Sequence, residues 1–202
     1  MSNFRRRLMM SVKKENYTEL EYLEGTGTQY INTEIKTKQS LRVECTFSGN
    51  QISTLLFGGR KNTGKNSLVW GFNSVNYAYL GFGGNTQRNN VTVNTVDNNK
   101  HTIIMSNDLY TIDEIDQVLS DRGTFTEFYN IYLFTWNNAN SADKRYFKGK
   151  VYDFRIYDND VLIQHLVPVL DSNNTPCMFD KITQKFYYNS GTGDFLYGEK
   201  ES

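Results

Sequence analysis

Gly59-Arg-Lys-Asn-Thr-Gly64-Lys65-Asn66 comes close to a phosphate-binding loop, in which glycine-rich backbone cradles phosphate oxygens, a lysine neutralises them and a following hydroxyl ligates magnesium. Here Asn66 replaces that hydroxyl, and Ser67-Leu-Val-Trp-Gly-Phe72 reads as a strand where a helix N-terminus is needed. A basic hairpin loop is the reading that remains. Glycoside hydrolysis is the next chemistry to weigh, because Asp113-Glu114-Ile115-Asp116 approaches the Glu-x-Asp-x-Glu pattern that turns alternate carboxylates of a strand into one cleft. The register runs Glu114-Ile115-Asp116-Gln117-Val118, so Val118 stands where the acid/base is required, and the acids are expected to be solvated. Nucleophilic catalysis has no Gly-x-Ser-x-Gly turn, and no HExxH pattern joins the two histidines, His101 and His165. No catalytic residue is assigned, and the chain is expected not to be an enzyme.

Metal chemistry is equally thin. Cys45 and Cys177 lie far apart with no CxxC, so two free, buried thiols are expected and no zinc site. Asp97-Asn-Asn99 and Asp158-Asn-Asp160 offer oxygens of the kind calcium takes, but without the regular spacing of a calcium loop, and Asx turns account for both. The expectation is no metal and no cofactor, with calcium as the alternative. Carbohydrate binding fares better. Sugar faces stack on aromatic rings while their hydroxyls pair with side-chain amides, and two loop pairings offer this: Asn76-Tyr77 with Tyr79, and Trp136-Asn137-Asn138 with Asn140. The competing use of any one of these rings is the core, which most of the chain's aromatics must fill.

The elements that would position such residues follow from composition. The chain has 202 residues with 22 basic and 22 acidic side chains, a balance that removes the broad positive footprint of a nucleic-acid binder. No apolar run approaches the ~18 residues of a membrane helix, and residues 1–10 lack the apolar stretch of a signal peptide, so a soluble, cytosolically made protein is expected. Three Ala stand against 23 Asn, 19 Thr, 15 Gly and 29 aromatics, which favours strands and turns over helices. Leu41-Arg-Val-Glu-Cys-Thr-Phe47 alternates for a half-buried strand. Further strands are predicted at 53–57, 67–72, 77–82, 90–96, 101–106, 130–136, 150–157, 161–169 and 185–188, an all-β rhythm that fits a sandwich or a jelly roll. In the 150–157 strand, Tyr152, Phe154 and Ile156 are expected to share the inner face. Thr111–Arg122 admits two readings, a capped helix or a hairpin from 109–112 through 115–119, with the hairpin favoured.

Charge is unevenly placed. Arg5, Arg6, Arg7, Lys13 and Lys14 give residues 1–14 a charge of +5, which leaves −5 on residues 15–202. Phe4, Arg5, Arg6, Arg7, Leu8, Met9 and Met10 interleave basic and apolar side chains in a stretch too short to fold alone. The expected division is a docking arm, 1–14, and a lectin-like domain, 15–202.

Tyr17-Thr-Glu-Leu-Glu-Tyr-Leu-Glu-Gly-Thr-Gly-Thr-Gln-Tyr-Ile-Asn-Thr33 resembles the opening, and Phe147-Lys-Gly-Lys-Val-Tyr-Asp-Phe-Arg-Ile-Tyr-Asp158 through Thr192-Gly193-Asp-Phe195 the closing, of concanavalin-A-like (laminin-G-like) jelly-roll domains in bacteriophage and prophage structural proteins. The arm is similar to short leaders of such domains in phages of gut bacteria. Residues 36–145 match only in strand rhythm, and Asn159-Asp160 stands where the family usually has Asn-Gly. The resemblance implies an all-β, two-sheet antiparallel jelly-roll sandwich and a virion component such as a fibre or decoration protein, made in the host bacterial cytoplasm. It would dock on other virion proteins through the arm, become multimeric on the particle, and bind a host surface glycan or serve as a pure scaffold. It also implies that the terminal strands meet, so Gly25-Thr-Gly27 and Gly191-Thr-Gly193 are expected to be neighbours.

Overall fold

The computed structural model describes residues 16–61, 67–75, 77–84, 87–119, 122–124, 126 and 128–200. The arm residues Phe4 to Met10 therefore lie outside the described residues, as do Asn76 and the Gly64-Lys65-Asn66 end of the phosphate-loop-like segment. The first strands are β1 (Thr18–Gly25), β2 (Ile31–Lys36), β3 (Leu41–Ser48), β4 (Thr54–Arg60), β5 (Ser67–Ser74), β6 (Tyr77–Phe82) and β7 (Gln87–Asn90). Next come β8 (His101–Met105), β9 (Tyr110–Ile112), β10 (Ile115–Asp116), β11 (Asn130–Leu133), β12 (Asn137–Asn138) and β13 (Ser141–Ala142). The chain closes with β14 (Gly149–Asp158), β15 (Val161–Leu170), β16 (Pro176–Asp180), β17 (Lys185–Tyr187) and β18 (Leu196–Glu199).

Two sheets, antiparallel but for the short β4–β12 pair, face each other as a jelly-roll sandwich. The first runs β10-β9-β8-β3-β14-β1-β15-β16-β17 with β18 on β1; the second runs β13-β12-β4-β5-β6-β7, with β11 joining β2 to β4. Alternation in β3 buries Leu41, Val43, Cys45 and Phe47. Their faces close against β4, β5 and β6: Phe47 meets Trp70 at 5.4 Å between ring centroids, and Phe57 meets Phe154 at 5.7 Å. Each such ring contributes about 1.5–3 kcal/mol through burial, and together they form the main adhesive of the sandwich. Cys45 and Cys177 are free and buried, and burial raises both thiols, Cys177 to about 12.

Three local readings of the sequence change. In β14 a bulge makes Tyr152 the extra residue, since Val151 pairs with Phe47 and Asp153 with Thr46. Val151 takes the inward place expected for Tyr152, whose ring turns outward beneath Lys100 and whose hydroxyl meets Ser48 Oγ at 3.0 Å. The strand expected over 90–96 does not form: β7 stops at Asn90, and beyond it Thr92 N and Val96 N donate to the Gln117 and Asn94 side chains instead of a neighbouring strand. The strand expected over 130–136 ends at Leu133, where Phe134 takes a φ of 70°. The hairpin favoured for 111–122 is the one seen, and its described residues hold no helix. β9 and β10 pair through a tight turn with positive φ at Asp113 and Glu114, the geometry of a two-residue hairpin.

That turn puts Asp113 to work. It is not merely solvated as expected: Oδ1 accepts from Thr102 N at 2.8 Å, and Oδ2 lies 2.7 Å from His101 Nδ1. Asp97 Oδ1 lies 2.9 Å from His101 Nε2, so the buried imidazole is held between two carboxylates. Burial opposes the imidazolium, but the hydrogen bonds and charges of Asp113 and Asp97 outweigh it and raise His101 above its ordinary 6.5. A raised folded-state value stabilises fully below the unfolded value and is lost as pH climbs through the folded one. In urea melts, the stability advantage of the wild type over His101→Gln should therefore be greatest near pH 6 and shrink toward about pH 9. A difference that stays flat, or grows, across that range rules the charged sandwich out.

The two Gly-Thr-Gly turns do meet. Thr28 Oγ1 donates to Thr192 O at 2.7 Å, Thr192 N donates to Thr28 O at 3.2 Å, and Gln29 Nε2 reaches Asp194 O at 2.9 Å. A side chain on Gly191 would place Cβ 2.0 Å from Thr28 O, so only glycine permits this approach.

Candidate functional site

The outer face of the second sheet collects the side chains that alternation turns away from the core. In β6, Ala78 and Leu80 point inward, so Tyr77 and Tyr79 point out. Tyr79 pairs with Gly71 on one side and Arg88 on the other, and Tyr77 pairs with Asn90. In β11, buried Ile131 and Leu133 flank an outward Tyr132, which pairs with Gly58 of β4 and Asn32 of β2. Gly58 and Gly71, the register partners of Tyr132 and Tyr79, add no side chain to the floor of this face.

Trp136 lies across that floor. It packs on Leu55 and Val69, its Nε1 donates to Trp70 O at 2.8 Å, and it is only 1% exposed. Tyr79 meets it edge-on at 6.4 Å. Above it, Arg60 Cζ stands 5.3 Å and Arg145 Cζ 5.7 Å from its ring centroid, within cation–π range. Asp143 holds Arg145 with two parallel bonds, Nε to Oδ1 at 3.1 Å and Nη2 to Oδ2 at 3.0 Å. Burial alone would raise Asp143, but Arg145 overrides it and lowers the carboxyl; Arg145 is raised in turn, first through its bonds to Asp143. Arg60 is lowered by burial. Asn73, with its amide oriented to satisfy both neighbours, donates to Tyr79 Oη at 2.7 Å and accepts from Arg88 Nε at 2.7 Å.

A second aromatic group lies on the Tyr132 side. Tyr30 sits 4.8 Å from Tyr132 and 6.4 Å from Tyr146, all three half-buried. Burial raises the phenols of Tyr30 and Tyr132. Open, partly exposed tyrosine rings with amide neighbours such as Asn32 and Asn73 can do two things for a sugar: offer an apolar face and exchange hydrogen bonds at the rim.

The structure thus brings Tyr77, Tyr79 and Trp136 onto one face although half a hundred residues separate them in sequence. Their uses differ. Trp136 is a floor under the site, with its ring covered. Asn137 is 1% exposed and internally committed, donating to Asn130 O at 3.0 Å and accepting from Asn140 N at 2.7 Å. Asn140 is exposed at the β12–β13 turn, while Asn138 is the register partner of Arg60. Sequence reasoning missed Arg60, Arg88, Arg145, Tyr30, Tyr132 and Tyr146. Tyr132 was legible from its place between Ile131 and Leu133; the arginines carried no signal, because strand pairing alone assembles them. The two candidate calcium loops are engaged by protein donors: Asp97 by His101 and Asn99 N, and Asp158 by Lys38 Nζ at 2.5 Å and Ser40 Oγ at 2.6 Å.

No family model matches this sequence, and no curated protein matches it.

Proposed function

We propose that this chain is an attachment protein of a bacteriophage particle, a binding protein and not an enzyme, which holds a host surface glycan on the outer face of its second sheet. The observation that carries the binding half is the partly exposed set Tyr30, Tyr79, Tyr132 and Tyr146, spread on one open sheet face with amide side chains among them. Tyr30 packs on the main core and Tyr79 on the Trp136 cluster, yet all four rings keep part of their surface in water, and a pyranose ring needs such apolar platforms beside hydrogen-bonding edges. The virion half rests on the resemblance of the two terminal segments, and residues 1–14 are the docking arm in this reading. One shallow site binds a single sugar weakly, so multiple copies on a particle would supply avidity.

A glycan array probed with full-length protein tests the first half. Retained oligosaccharides whose signal falls at least tenfold in Tyr79→Ala and Tyr132→Ala, with circular dichroism unchanged, are the expected result. A silent array would favour a pure scaffold, and reducing-sugar release from a retained glycan would favour an enzyme. Particles assembled with chain lacking residues 1–14 test the second half: normal incorporation would refute docking by the arm.

A further inference from the structure

We infer that the glycan taken by this face is acidic, and that Arg60, Arg88 and Arg145 read its negative group. This rests on the glycan-binding reading above and narrows it. Residues 15–202 carry −5, yet on this face Arg60 and Arg145 share one carboxylate, Asp143, which Arg145 already occupies with both oxygens, and Arg88 adds a third guanidinium opposite Tyr79. A local cation excess on an otherwise anionic domain focuses negative ligands onto the patch and away from the rest of the surface. Each guanidinium also stands near an aromatic ring of the site: Arg60 and Arg145 by Trp136, and Arg88 at 5.4 Å from the Tyr77 centroid. Arg145 Cζ also stands 5.5 Å from the centroid of Tyr79, so an anion bound there lies beside a ring that would carry the sugar.

Two polar atoms sharpen the assignment. Arg60 Nε, a donor, and Asn138 Oδ1, an acceptor, are buried and without a hydrogen-bond partner, and the two residues are register partners across β4 and β12. Leaving such atoms unsatisfied is costly, on the order of 1–3 kcal/mol each, so a ligand that supplies both an acceptor and a donor gains from the site. A sugar acid has both: a carboxylate or phosphate oxygen for Arg60 and a ring hydroxyl for Asn138. Both residues keep part of their surface in solvent, and a ligand meets the two buried atoms when their side chains turn toward it. Arginine's planar fork suits such oxygens better than a lysine would.

The test uses full-length protein on a mixed array of neutral, uronic-acid, sialic-acid and phosphorylated oligosaccharides, followed by titration of each retained sugar against its methyl-esterified or dephosphorylated form. Acidic members should be retained and should lose at least tenfold in affinity when the charge is removed. Arg60→Gln should abolish most of that preference. Arg88→Gln, at an exposed position, should weaken acidic ligands severalfold with circular dichroism unchanged. Retention of neutral sugars, or affinities that stay within twofold after esterification, would overturn the acidic assignment while leaving glycan binding intact. Retention of nothing would overturn both.

Discussion

Phe154→Ala is expected to lower the free energy of unfolding by about 3–5 kcal/mol, the range for deleting a fully buried aromatic ring. Phe154 is 0% exposed in the middle of β14, pairs with Cys45 on one side and Leu166 on the other, and meets Phe57 of the opposite sheet. The cavity would open between the two sheets, where neither backbone can collapse without breaking a ladder. Next to it, Arg155 points outward, 39% exposed, and pairs with Asp153 and, more loosely, Glu44. Arg155→Ala should cost less than about 1 kcal/mol, as exposed ion pairs do. Chemical unfolding of the two variants side by side decides this. Equal and small losses would mean that the β14 register is inverted.

The second large effect is expected at Gly58→Ala. Gly58 has a φ of 144°, which side-chain-bearing residues rarely adopt, and an added Cβ would stand 2.4 Å from Leu68 O and 2.6 Å from Val69 Cα. Neither obstacle is the tip of a flexible side chain; both are backbone of the neighbouring strand. Backbone strain and overpacking each cost about 1–3 kcal/mol, so a loss of about 2–5 kcal/mol is expected, equivalent to a drop in melting temperature of roughly 10 °C for a domain of this size. Because Gly58 pairs with Tyr132 as well as Val69, the folded remainder should also bind any glycan ligand more weakly. A melting temperature within about 2 °C of wild type would show that β4 and β5 are less tightly apposed than described.

How much of this was readable beforehand varies by residue. The seven-residue alternation of β3 needed nothing beyond the period of a strand, and Phe154 and Ile156 were placed inward on the same ground. Tyr152 was misplaced, because one inserted residue reverses the faces after it and sequence period carries no mark of a bulge. The hairpin of β9 and β10 was one of two admissible readings, and the turn's bonds from Asp113 to Thr102 and His101 are what favour it over a helix. Of the candidate binding residues, Tyr77 and Tyr79 were read from the sequence as part of a loop pairing, and the structure places them on strand β6 instead. That Trp136 would lie covered beneath two arginines was not visible, since the cover comes from Arg60 and Arg145, remote in sequence.

By itself, then, the sequence determined the quantities that are local: an all-β chain, its strand period, its glycine turns and the charge split between residues 1–14 and the rest. Only the tertiary structure decided which outward side chains share a face. Strand pairing across two sheets brings Arg60, Tyr79, Arg88, Tyr132, Trp136 and Arg145 together from separate stretches of chain, and register is set by burial of the opposite face. The core dictates where these residues stand, while their own identities leave no trace in the alternation that positions them.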